Sequence, residues 1–156
     1  MNLTPLSSIY VDQNQYHVVD SPTQFITVLG SCVGVCLYDR VNKIAALNHF
    51  VMPLWSGKGL ATPKYGDISM QQMIKAVFLK GADARYINAR VFGGAKIIEG
   101  QQNAVGDLNV DVALKALSEH RIAVLSVDTG GLCGRRIVFD SVTGEIDCQF
   151  IERFKQ

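Results

Sequence analysis

Cys32 is the residue whose surroundings best suit nucleophilic chemistry. It follows Gly30 and Ser31 at the end of one apolar, β-prone run, and a second apolar run begins after it. Gly30 can adopt backbone angles that are closed to other residues, so the chain can turn sharply and present a small side chain at the bend. Apolar strands on both sides would hold the bend rigidly, as the elbow of serine hydrolases holds its nucleophile. The elbow motif itself is absent, so the likeness is one of geometry.

A cysteine nucleophile needs a base, because a free thiol with a pKa of about 8.5 is mostly protonated at neutral pH. Residues 33–38 and 44–50 are predicted to form adjacent antiparallel strands joined by a polar turn. Cys32 then opens the first strand, and His49 lies beside it near the end of the second. The predicted hairpin therefore pairs Cys32 with His49.

The other two histidines have no such geometry. His17 is predicted at the surface or on an edge strand. His120 falls in the last turn of a predicted helix, where a basic side chain suits the negative helix end.

Two other interpretations of Cys32 stay open at this point. Cysteine usually packs as a small buried hydrophobe, so Cys32 could be an inert core residue. It could also join Cys36, His49 and Cys133 as a metal ligand. The spacing of these residues lacks the paired, close-set ligands of structural zinc sites, which disfavours a metal centre.

Composition predicts one soluble domain over residues 1–156. The chain is 48% hydrophobic and 19% charged, with a formal net charge of +1, so nothing indicates a partner nucleic acid or a membrane surface. No apolar run approaches the roughly 18 residues of a membrane span, and the N-terminus has no signal-peptide pattern. Four cysteines without export signals are typical of reduced thiols in a cytoplasmic protein.

Two helices and several strands are predicted from hydrophobic spacing. An apolar run at 122–127 is typical of a strand buried on both faces. Residues 1–24 are expected to be peripheral. These elements predict a mixed sheet with at least two helices in a layered α/β or α+β sandwich; the helices are placed at about 67–80 and 109–120, and further strands at 86–92, 135–140 and 145–151.

Several motifs taken together resemble the CheD family of chemoreceptor glutamine deamidases, over roughly residues 10–151. The resemblance rests on these segments: Leu29-Gly30-Ser31-Cys32-Val33, Val35-Cys36-Leu37-Tyr38-Asp39, Asn48-His49-Phe50, Met52-Pro53, Lys64-Tyr65-Gly66-Asp67, Phe92-Gly93-Gly94-Ala95, Asn103 or Asn109, Asp128-Thr129-Gly130-Gly131 and Gly134-Arg135.

The resemblance implies a single-domain three-layer α/β/α sandwich with a deamidase site like that of certain bacterial toxins. It implies that Cys32 and His49 are catalytic. The family's third residue is a threonine a few positions before the cysteine; the expected register puts Ile26 there, with Thr27 next to it. Thr27 or a main-chain oxygen is therefore expected to orient His49.

The implied reaction is hydrolysis of a glutamine side-chain amide by a Cys32 thiolate paired with a His49 imidazolium. Backbone N–H groups around Gly30, Ser31 and Val33 are expected to stabilise the oxyanion. No metal or organic cofactor is needed.

The implied partners are the cytoplasmic helices of chemoreceptors and a CheC-type phosphatase. Two alternatives remain: another cysteine-dependent reaction such as peptide cleavage or transglutamination, or a docking module of the adaptation system with little catalysis.

Overall fold

The computed structural model describes residues 6–96 and 105–151. They form nine strands and two helices: β1 (Ser7–Tyr10), β2 (Gln15–Val19), β3 (Thr23–Leu29), β4 (Val33–Asp39), β5 (Ile44–His49), α1 (Gly66–Leu79), β6 (Ile87–Gly93), α2 (Val105–Glu119), β7 (Ala123–Thr129), β8 (Gly134–Asp140) and β9 (Ile146–Ile151).

The strands form two mixed sheets. The five-stranded sheet has the order β2-β5-β4-β6-β7, and only its β6–β7 pair is parallel. The four-stranded sheet has the order β1-β3-β8-β9, with β1 and β3 parallel. The predicted β4–β5 hairpin is present, and the Asp39 carboxylate shapes its turn by accepting the backbone N–H groups of Val41 and Asn42.

Strand alternation divides the core into two layers on either side of the five-stranded sheet. In β4, Val33, Val35 and Leu37 pack in a cluster with buried side chains of α1 and α2. Cys36 points the other way and packs with Phe139 and other residues of the four-stranded sheet. The five-stranded sheet is therefore the middle layer, with helices on one face and the second sheet on the other.

The α/β class and the mixed sheets are confirmed. The order of layers differs from the expected α/β/α, because β3 and the β8–β9 hairpin assemble into a sheet that covers the face opposite the helices. In the described residues the order is α/β/β. The helices occur where they were predicted, although α2 begins at Val105 rather than near Asn109.

Strand β7 is not buried on both faces, contrary to the prediction. It forms an edge of the five-stranded sheet, and residues 123–127 are exposed. Its apolar sequence resembled a central strand because hydrophobicity does not distinguish an edge from a centre. Neither helix in the described part of the chain is long and apolar enough to cross a membrane.

Candidate active site

Cys32 and His49 lie on the same face of the five-stranded sheet. Val33 and Phe50 exchange backbone hydrogen bonds of 3.0 and 3.1 Å, which fixes the register of this part of the hairpin. Continuing the β4–β5 register, Gly34 lies opposite His49, and Cys32 is two positions from Gly34. The two side chains are therefore diagonal neighbours on the face toward the four-stranded sheet, a relationship in which cross-strand side chains interact.

Thr27 and the Val11 carbonyl hold the His49 ring. The Thr27 Oγ1–His49 Nδ1 distance is 2.8 Å, and the Thr27 hydroxyl donates to the Val11 carbonyl at 2.7 Å. Because Thr27 donates its hydroxyl proton to the Val11 carbonyl, its Oγ1 accepts a hydrogen bond from His49 Nδ1–H. This arrangement favours the tautomer with an unprotonated Nε2, and Nε2 is buried without a hydrogen-bond partner in the described structure.

The structure brings together both groups that the sequence left as alternatives for orienting His49. Thr27 is completely buried on β3, while its neighbour Ile26 points to the opposite side of that strand and is half-buried. The Val11 carbonyl oxygen also lies 3.4 Å from Nδ1. Val11 was missed because it acts through its backbone, for which the sequence has no signal.

Burial affects the ionisation of both residues. Cys32 is 7% exposed, and burial raises the pKa of its thiol, with a smaller opposing effect from its own backbone N–H. Burial lowers the pKa of His49, while the Val11 carbonyl and the Asp12 carboxylate act in the opposite direction. Both shifts favour the neutral thiol and neutral imidazole in the free protein, rather than the expected thiolate–imidazolium pair.

A pair of glycines braces the turn that carries Cys32. The Gly94 N–H donates to the Cys32 carbonyl at 2.9 Å, and the Ala95 N–H donates to the Gly30 carbonyl at 3.0 Å. Gly93 has a φ of +107°, and a Cβ atom there would lie 2.1 Å from the Cys32 oxygen. The end of β6 therefore approaches the Cys32 turn closely through its backbone, and this approach requires glycine at position 93.

The N–H groups expected to form an oxyanion hole are only partly available. The Val33 N–H donates to the Phe50 carbonyl, so Val33 supports the turn through sheet pairing and is not free to bind an oxyanion. This corrects the prediction for Val33. The N–H groups of Gly30 and Ser31 have no hydrogen-bond acceptor among the described residues.

Asn109 ties the Cys32 turn to the segment that follows His49. Its Nδ2 donates to the carbonyls of Ser31 at 3.1 Å and Val51 at 3.0 Å, from a completely buried position on α2. Its Oδ1 is buried with no partner in the described structure. The sequence named this residue only through the family resemblance; the other candidate, Asn103, lies outside the described residues.

An open groove of about 610 Å³ reaches His49 from the loop between β1 and β2. The Asn14 N–H in this loop donates to the His49 carbonyl at 2.8 Å. This segment was expected to be peripheral, but it forms one wall of the groove; the lining residues are Tyr10, Asp12, Gln13, Asn14, Gln15, Val28 and His49. No group of three His, Cys, Asp or Glu side chains that could hold a metal occurs in residues 6–96 and 105–151.

Comparison with known proteins decides the family. The family model described as CheD chemotactic sensory transduction matches residues 55–150. A protein of Trichlorobacter lovleyi named probable chemoreceptor glutamine deamidase CheD is 40% identical over 145 residues, which cover 92% of this chain and 90% of that protein. The chain belongs to the CheD family.

A second CheD relative, from Sulfurimonas denitrificans, carries the same name and is 40% identical over 147 residues, 92% of this chain and 94% of that protein. Among solved structures, Neisseria meningitidis protein NMB0706 of the DUF152 family matches with a TM-score of 0.50 and 13% identity. The match covers 81% of this chain and 63% of that one. At this identity the likeness concerns the α/β fold alone, whereas the CheD relatives establish the family.

Proposed function

We propose that this chain is a protein-glutamine deamidase that converts specific glutamine side chains of bacterial chemoreceptors to glutamate and releases ammonia. The curated CheD relatives are named for this activity. The observation that carries the proposal for this chain is the anchored His49, whose free Nε2 is left on the face that it shares with Cys32.

In the first step the Cys32 sulfur attacks the carbon of the glutamine carboxamide, and its proton passes to His49 Nε2. A thiol that is neutral at rest needs such a base during the attack. The hydrogen bond from Nδ1 to Thr27 and the carboxylate of Asp12 favour the imidazolium that forms. The N–H groups of Gly30 and Ser31 are available for the developing oxyanion.

In the second step the His49 imidazolium returns its proton to the amide nitrogen. The carbon–nitrogen bond breaks, ammonia leaves, and a thioester to Cys32 remains. Water then gives a proton to the neutral His49 and attacks the thioester. The thiolate leaves and takes that proton back, so the product is glutamate and the enzyme is regenerated without a metal or cofactor.

The substrates are proposed to be glutamines on chemoreceptor cytoplasmic helices, and a cytoplasmic location of the protein is part of the same proposal. A CheC-type phosphatase is still predicted to be a second partner.

The proposal is tested by mass spectrometry of a chemoreceptor cytoplasmic fragment incubated with the wild-type protein, Cys32→Ala or His49→Ala. We expect a gain of about 1 Da at specific glutamines with wild type and none with either variant. Cys148→Ala is the matched control, since Cys148 is a half-buried free thiol on β9, which β8 separates from β3, and it should act like wild type.

The docking alternative would be favoured if the wild type leaves all glutamines intact but co-purifies stably with the receptor fragment. Chain cleavage or cross-linking in place of ammonia release would favour another cysteine-dependent reaction.

A further inference from the structure

A second cleft, of about 220 Å³, lies between the two sheets at the end of β4 away from Cys32. Its floor comes from two paired strands: Asn88 lies opposite Tyr38, and Arg90 lies opposite Cys36. Paired residues point to the same side of a sheet, so these four side chains face the four-stranded sheet together.

The turn between β8 and β9 closes one side of this cleft. The Tyr38 hydroxyl donates to the Val142 carbonyl at 2.8 Å. Gly144 lies so close to the Tyr38 ring that an added Cβ would be 2.5 Å from a ring carbon. These contacts hold the turn against Tyr38, so this wall of the cleft is a fixed part of the fold.

Two guanidinium groups line the cleft without a counter-charge. Neither Arg40 nor Arg90 forms an ion pair or a hydrogen bond in the described part of the chain, although Arg90 is half-buried. Arg40 is stacked over the Tyr86 ring at 5.8 Å. A partly buried cation with no partner is unfavourable, so an anion entering this cleft would be stabilised.

Three carboxylates near the cleft accept hydrogen bonds or form an ion pair outside it, and the exposed Glu145 lies in the turn between Gly144 and Ile146 without lining the cleft. Asp39 accepts hydrogen bonds from its own turn and from the Asp83 N–H, and Asp140 accepts the N–H groups of Val142 and Thr143. Asp83 is paired with Arg85. No acidic residue lines the cleft, whereas Arg40 and Arg90 do, so the lining itself carries a net positive charge.

The remaining wall is apolar, formed by Phe139, Leu125 and Ile146. We propose that this cleft binds a small organic carboxylate, whose oxygens accept hydrogen bonds from Arg40 and Arg90 and whose carbon body lies on the apolar wall. The planar guanidinium group suits a carboxylate because it can donate two parallel hydrogen bonds. The site is separate from the Cys32–His49 pair.

The test uses benzoate as the probe and benzamide as its neutral counterpart, with amide NMR spectra of the full chain as the readout. Benzoate should shift the amide signals of residues 36–40, 88–90 and 142–144 in a saturable way. Benzamide should bind at least about tenfold more weakly, since hydrogen bonds to charged groups contribute about 1.5–3 kcal/mol.

Arg90→Gln and Arg40→Gln should each weaken benzoate binding at least about tenfold by the same reasoning. Arg136→Gln is the matched control: Arg136 is exposed on β8, outside the cleft, and should bind like wild type. Arg40 is exposed, so Arg40→Gln should fold normally. This variant therefore tests the proposal even if Arg90→Gln fails to fold.

Three results would overturn the proposal: no benzoate shifts up to its solubility limit, equal binding of benzamide, or equal weakening by Arg136→Gln. None of these readouts depends on deamidation, so they are independent of the proposed function.

Discussion

In the proposed mechanism, Thr27 determines which nitrogen of His49 is available for proton transfer. Its hydroxyl is fixed by donation to Val11, so its oxygen remains an acceptor for Nδ1–H. Thr27→Val removes that acceptor while keeping the shape of the side chain. We expect kcat/KM for deamidation to fall about 10- to 100-fold, the loss that follows when a buried hydrogen-bond partner worth about 1–3 kcal/mol is removed.

Thr27→Ser is the matched variant, because it keeps the hydroxyl and should retain activity within a few-fold. Wild-type activity in Thr27→Val would show that the Val11 carbonyl, 3.4 Å from Nδ1, is sufficient to orient the ring.

The buried thiol of Cys32 predicts a particular pH dependence. Burial raises the pKa of this thiol above that of an ordinary cysteine, so the reactive thiolate is the minor form at neutral pH and its fraction increases as the pH rises. Alkylation of Cys32 by iodoacetamide, followed residue by residue with mass spectrometry, should therefore accelerate steadily with pH.

Cys148 provides an internal reference, since burial and the Asp128 carboxylate raise its pKa to about 11. A Cys32 alkylation rate that is already maximal at pH 6, and lost in His49→Ala, would contradict the neutral pair and restore the thiolate–imidazolium state.

At the scale of elements, the end of β6 supports the Cys32 turn through its backbone. Gly93 combines a φ of +107° with a Cβ position 2.1 Å from the Cys32 oxygen, whereas Gly130 has a φ of +84° with nothing within 4 Å. Both Gly93→Ala and Gly130→Ala would strain the backbone, because alanine disfavours a positive φ. Only Gly93→Ala would also bring its Cβ into collision with the Cys32 carbonyl oxygen.

We expect Gly130→Ala to lower the free energy of unfolding by about 1 kcal/mol, with activity preserved. Gly93→Ala should be clearly less stable and should also lose deamidase activity, because the carbonyl of Cys32 must move. Urea unfolding and the receptor-fragment assay measure the two effects. Equal behaviour of the two variants would show that Gly93 is needed only for its backbone angles.

Across the whole molecule, the sequence predicts local elements better than the layers they build. The hairpin carrying Cys32 and His49 is predictable because two apolar runs flank a polar turn. The placement of Thr27 beside His49 depends on how β3 packs over β5, which no local pattern encodes. The exposure of residues 123–127 likewise depends on the position of β7 at a sheet edge.

The same limit applies to the segment before residue 24. It was expected to be peripheral, yet the Val11 carbonyl contacts Thr27 and the Asn14 N–H contacts His49. Backbone groups contribute to a site without changing the sequence pattern. The side chains of a site are thus more readily predicted than its backbone contacts.

Asn109 joins the helical layer to the candidate site and so extends the site beyond the sheets. Its Nδ2 donates to the carbonyl of Ser31, the residue before Cys32, and to the carbonyl of Val51, two residues after His49. Asn109→Leu would leave both carbonyls without this donor, and the turn could then shift relative to His49. We expect Asn109 to be a positioning residue, with kcat reduced about 10- to 100-fold by the loss of buried hydrogen bonds and KM little changed.

Ser141→Ala is a suitable control for the stability that Asn109→Leu will also cost. Ser141 is buried, accepts the Thr23 N–H at 2.8 Å and donates to the Ser21 carbonyl at 3.1 Å, but it lies at the end of β8 away from Cys32. Both variants should unfold at lower urea concentration, and only Asn109→Leu should lower kcat. Equal kcat values at equal loss of stability would mean that Asn109 stabilises the fold without positioning the nucleophile.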